Sequence, residues 1–185
     1  MDAVTRWAGY LAMAGGALLA ILTGIIAYDP NTDAWYWIFL VVGLLGAAVF
    51  GLERGTRAAT GGLGRVSASL SGVGAIAFLS VFAFALATNR LTSTSEPTSD
   101  PLAPFWAFTA IAWFLGNLGF GVAIIRGKAL SVIGGWLVLA GAIVGLGLTL
   151  VLGENVPPAV TLLFALFGIG WILVGYAGAR SPARA

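Results

Sequence analysis

Six apolar stretches, each at least 19 residues long and without an internal charge, constrain this chain more than any other feature. They run over about 7–28, 34–52, 66–88, 104–125, 130–152 and 158–179. A hydrocarbon core about 30 Å thick is crossed by roughly 20 helical residues, so each stretch suffices for one crossing. Lipid offers no partners to backbone N–H and C=O groups, which leaves helices or a closed barrel. Barrel strands alternate apolar and polar residues, and these runs do not. The expected fold is all-α: a polytopic six-helix transmembrane bundle forming a single integral membrane domain over 1–185. Only 9% of the residues are charged, against about a quarter in soluble domains. The first run also exceeds the roughly 7–15 residues of a signal-peptide core, so it reads as an uncleaved span.

The charges between the runs are asymmetric. Arg6, Arg54, Arg57, Arg65, Arg126, Lys128, Arg180 and Arg184 fall on one side, with Asp2 and Glu53 among them. Asp29, Asp33, Glu96, Asp100 and Glu154 fall on the other, with Arg90 the one base there. Basic loops stay in the cytoplasm, which places both termini there and the chain in the cytoplasmic membrane. The same distribution argues against nucleic acid as a partner despite a pI near 9.4, because the bases are spread over separate connections. The segment 53–65 reads as a basic, Gly-rich cytoplasmic loop. Its Arg54, Arg57 and Arg65 suit anionic lipid headgroups, at about 1 kcal/mol per basic side chain. Segment 89–103, rich in Ser, Thr and Pro, reads as a solvated connector, and 181–185 as a disordered tail.

Small residues recur at helical spacing. Ala8, Ala12, Gly16, Ala20 and Gly24 form an every-fourth stripe, with shorter ones at Gly43, Ala47 and Gly51 and at Gly141 and Gly145. Such stripes let membrane helices approach closely. Packing within the chain is the first use of the stripe; homo-oligomer formation or docking on a membrane partner subunit is the second. Aromatic residues Trp7, Trp35, Tyr36, Trp37 and Trp106 stand at span ends, where an interfacial belt belongs.

Displacing the chain by 125 residues aligns Gly16 with Gly141, Ala17 with Ala142, Asp29 with Glu154 and Gly43 with Gly168. Gly116, Gly121 and Arg126 likewise match Gly170, Gly175 and Arg180. Three tandem helical hairpins are expected. With Gly16, Gly24 and Pro30 closing the first outer turn, the pattern resembles the HdeD-type acid-resistance membrane proteins. It is also similar to uncharacterised six-helix bacterial membrane proteins that end in a Gly-rich stretch such as Gly168-Ile169-Gly170-Trp171. The third hairpin departs from it, using Val156-Pro157-Pro158. The resemblance implies a stress-related role and assigns no functional residue. In size, six spans and the Ala8/Ala12 pair, the chain also resembles the substrate-binding membrane subunits of energy-coupling vitamin transporters, which would imply docking through helix one.

Much chemistry is excluded. With no Cys and no His, the chain has no thiol nucleophile, no disulfide and no imidazole base or metal ligand. No ionisable side chain lies inside a span, as a proton relay would need. Asp29-Pro30-Asn31-Thr32-Asp33 lacks the full ligand spacing of a calcium loop. No cofactor, metal site or catalytic group is expected. What remains is polar matter at mid-span. Asn117, in the run Ala107 to Ile125, is the one amide deep in an apolar segment, and Trp113 shares its helix face. Counted from span centres, Ser80 and Trp171 lie at similar depth, so Ser80 or the Trp171 indole is expected to answer the amide. Two roles follow. Asn117 pins helix register, or Asn117, Trp113, Trp171 and Ser80 line a pocket for a neutral or aromatic small molecule. The corresponding functions are a non-catalytic structural, stress-related or accessory subunit, and a transport component for a neutral substrate.

Overall fold

The computed structural model describes residues 3–29, 32, 34–88, 102–147 and 158–180. They form α1 (Ala3–Tyr28), α2 (Ala34–Ala87), α3 (Ala103–Gly127), α4 (Val132–Gly147) and α5 (Pro158–Arg180), with no strand among them. Four helices are long and apolar enough to cross a membrane; α4 is apolar but shorter. The outward faces are apolar as well: Ile21, Ile76, Phe84, Ile133, Trp136 and Leu162 are all exposed. So many exposed large apolar side chains suit a lipid-facing surface.

Helix α2 is bent back on itself. Gly61 has φ 62° and ψ −150°, a backbone state essentially confined to glycine. Its two arms then run side by side: Phe39 stacks on Phe82 and Phe78, while Cβ atoms built on Gly43 and Gly46 would meet Leu79 and Ala75. Each pair is placed symmetrically about Gly61, as an antiparallel fold-back requires.

The segment 53–65, expected as a loop, is instead helical apart from Gly61. Local bonds explain the extension. Arg57 donates Nε and Nη2 to both carboxylate oxygens of Glu53, one turn earlier, at 2.9 and 3.0 Å. The Thr56 and Thr60 hydroxyls donate to carbonyls four residues back. Helix–helix contact adds to this, because Gly55 lies directly against Thr5. A polar composition does not stop a helix that satisfies its polar groups locally.

The helices close a ring in chain order, each packing on its neighbours in sequence and α5 returning to α1. The α1–α5 seam is the most extensive. A Cβ on Gly16 would stand 2.5 Å from the Gly168 carbonyl oxygen, and one on Gly168 would stand 2.5 Å from that of Gly16. Gly9 and Gly175 repeat the arrangement two turns away. These backbones touch, which only residues without a Cβ permit. The small-residue stripe of α1 is therefore used inside the chain: Ala8 meets Gly51, Ala12 meets Gly175, and Gly16 and Ala20 meet Gly168. Gly24 is the exception, with nothing within 4 Å of its would-be Cβ.

Ring closure also sorts the described charges. Thr5 lies against Gly55, Ala59 against Gly127, and Ala179 against Gly9. Arg6, Glu53, Arg54, Arg57, Arg126, Lys128 and Arg180 consequently sit at one end of the bundle, with Arg65 just past the Gly61 bend. Asp29 follows the last turn of α1 at the opposite end. Pro30, Asp33, Arg90, Glu96, Asp100, Glu154, Val156, Pro157, Arg184, most of the 89–103 connector and the tail 181–185 lie outside the described residues.

Candidate functional site: a buried amide, two indoles and an apolar cavity

The site begins with Asn117, which has no exposed surface. Its Nδ2 donates to the Trp113 carbonyl, one turn back, at 2.7 Å, and across the helix seam to the Ser71 hydroxyl at 3.1 Å. Small residues make the crossing short. A Cβ on Gly116 would overlap the Ser71 backbone, and one on Gly119 would meet the Ser67 hydroxyl. Both serines are buried and lie four residues apart on the second arm of α2. Glycines on α3 thus face serines on α2, and the amide bonds across the gap they leave.

Ser71, not Ser80, is the partner. Ser80 is exposed, and its hydroxyl donates to the Ile76 carbonyl of its own helix. The cause is geometric. Nine residues at roughly 100° each turn the helix two and a half times, so the face carrying Ser71 points away from Ser80. At 1.5 Å per residue the two also differ in depth by about 13 Å. Counting from span centres missed this because the second arm starts at Gly62 and takes its register from Gly74 and Gly116. The available signal was Ser67 and Ser71, four apart beside Gly72 and Gly74 in the most Ser-rich apolar segment.

Trp113 and Trp171 are buried as expected, at 5% and 0% exposure. An aromatic cluster joins them, with Phe167 edge-on to both rings and Phe120 stacked on Trp171 at 6.1 Å. The turn of α3 carrying Asn117 lies between these contacts, since Trp113 and Phe120 flank it on the same helix. Neither indole N–H has a hydrogen-bond partner, and neither does the Asn117 Oδ1. An unmet buried polar group costs about 1–3 kcal/mol, so three in one region mark a place where the bundle is not built for stability alone.

Beside them lies a cavity of about 210 Å³. Its walls come from Leu19 of α1, Ile38, Val41 and Val42 of the first arm of α2, and Phe78 of the second. Ala110, Trp113 and Phe114 of α3 and Phe164 of α5 complete it. All these positions lie in the half of the bundle away from the Arg cluster. Trp113 is thus shared between the cavity and the amide site, while Asn117, Trp171 and Ser80 take no part in the lining. Of the four residues, this cavity takes in Trp113 alone.

Comparison of the chain with protein-family models, with curated proteins and with solved structures finds no match.

Proposed function

We propose that this protein is a non-catalytic, multi-pass integral membrane protein of the cytoplasmic membrane, serving as a structural, stress-related or accessory component. On this reading the chain crosses six times as three tandem hairpins, with both termini in the cytoplasm. The two arms of α2 on either side of Gly61 supply separate crossings, and α4 marks the fifth. The observation that carries the reading is charge segregation on an apolar bundle. Every described base lies at or beside the Gly61 end, while Asp29 lies at the other. Positive residues are retained on the cytoplasmic side, and Arg54, Arg57 and Arg65 then face anionic headgroups there. The burial of Ala8 and Ala12 against Gly51 and Gly175 favours this reading over docking of a partner through α1.

Topology is directly measurable because the chain has no native cysteine. In intact cells, Asp29→Cys should react with a membrane-impermeant maleimide, and Arg126→Cys should react only after permeabilisation. A reporter fused after Ala185 should be active in its cytoplasmic form. The reverse labelling pattern, or an exported C-terminal reporter, would refute the proposal.

A second reading is favoured by the cavity: a transport component that holds a small neutral substrate inside the bundle. Its walls carry no charged side chain, which suits a neutral molecule and no other.

A further inference from the structure

We infer that the cavity between α1, both arms of α2, α3 and α5 binds a compact, rigid, wholly apolar molecule of substituted-benzene size, one that carries no hydrogen-bonding group. The inference rests on the ligand-binding reading just given, narrows its substrate to hydrocarbon-like bodies, and is independent of the number of crossings.

Wall chemistry excludes polar occupants. Eight of the nine lining residues, all but Trp113, have purely hydrocarbon side chains. The Trp113 Nε1 has under 1 Å² of accessible surface, so its indole presents only carbon to the cavity. Backbone groups of the wall are bonded within the helices that carry them, and the Trp113 carbonyl also accepts from Asn117. A resident water needs two to four polar partners, and an apolar cavity of about 150 Å³ accordingly stays dry and takes up benzene or xenon. At about 210 Å³, this one has room for a substituted benzene. Left empty, its lining forfeits dispersion contacts that an occupant of matching shape restores. Lipid tails are as apolar as the wall, so the choice among occupants falls to shape and entropy. A flexible acyl chain loses rotamer freedom on entering, whereas a rigid ring has none to lose. Rings of the wall are already set against one another, with Phe114 edge-on to Phe164 at 5.6 Å and to Trp113 at 4.8 Å. A ligand ring extends that edge-to-face set.

The test uses toluene and phenol, nearly identical in shape, with a methyl group in one where the other has a hydroxyl. Protein in detergent micelles, ¹⁵N-labelled at tryptophan, is titrated with each, and Trp113→Phe identifies the Trp113 indole resonance. Because Trp113 lines the cavity, toluene should shift that resonance saturably through its ring current. The exposed Trp7, Trp37 and Trp136 indoles should follow only bulk partitioning. Measured against each probe's concentration in the micelle, toluene should bind at least about fivefold tighter than phenol, whose hydroxyl the wall leaves unpaired. Ala110→Leu and Val42→Phe enlarge the wall from α3 and from the first arm of α2. At least one of them should weaken toluene about tenfold or more by overfilling the space, with the helical spectrum retained. Phenol binding as tightly as toluene would mean that the wall offers a polar partner; the apolar class is then wrong while ligand binding stands. If neither probe saturates, an acyl chain or nothing holds the cavity, and the ligand-binding reading falls with the inference. Toluene binding that survives both substitutions would place the site elsewhere and overturn the inference.

Discussion

The α1–α5 seam makes the most direct energetic prediction. Replacing Gly16 by Ala places a Cβ 2.5 Å from the Gly168 carbonyl oxygen, and 3.0 Å from both the Ile172 nitrogen and the Trp171 Cβ. Ordinary contact begins near 3.4 Å, and two of the three obstacles are backbone. No rotamer change relieves them, so the helices must part by roughly an ångström. That movement loosens Gly9 against Gly175 as well. Overpacking of this kind costs about 1–3 kcal/mol. Helix propensity offsets it by at most about 1 kcal/mol, the Gly-to-Ala difference in water. With the full offset the net loss is up to about 2 kcal/mol, equivalent to a drop of up to about 8 °C in unfolding temperature for a chain of this size. Relative to a substitution that gains the same propensity without a clash, the loss is the full cost of about 1–3 kcal/mol. The internal control is Gly24→Ala, eight residues along the same stripe, where the new methyl meets nothing within 4 Å. It should leave the unfolding temperature unchanged or raise it slightly. Thermal unfolding of both variants in one detergent, followed by tryptophan fluorescence, decides the matter. Equal effects of the two substitutions would refute direct backbone contact as the basis of the seam.

Two further outcomes follow from the geometry. Ser71→Ala should cost about 0.6–2 kcal/mol, as intramembrane hydrogen bonds do, and Ser80→Ala almost nothing; unfolding midpoints in a mixed-micelle denaturant titration separate them, and the reverse order would contradict the assigned partner. Gly61→Ala should lower the unfolding midpoint by about 1–3 kcal/mol, the cost of a strained backbone state, although no side chain stands near. A neutral result there would mean that the bend does not require a positive φ.

Much of the architecture was legible in the amino-acid order. Long uncharged runs declare helices of membrane length because lipid leaves the backbone no alternative, and the every-fourth small residues of α1 declare a close seam. That Asn117 and Trp113 share a face follows from the four-residue interval alone. The middle of α2 was less legible. Polar residues after Leu52 look like a loop, yet Glu53, Arg57, Thr56 and Thr60 satisfy one another or the preceding turn and carry the helix on to Gly61.

The partners across each seam were decided by tertiary structure. The sequence offered Ser80 or the Trp171 indole as partner for Asn117, and only the register imposed by Gly74, Gly116 and Gly119 selects Ser71. Likewise the stripe of α1 offers the same face to any small-residue helix, and ring closure assigns it to α5 and the first arm of α2. A sequence states what each helix face can accept, through residue size and hydrogen-bonding capacity along one axis. Which faces meet, and what space they leave around Trp113, depends on contacts between residues distant in the chain, and those exist only once the helices have packed.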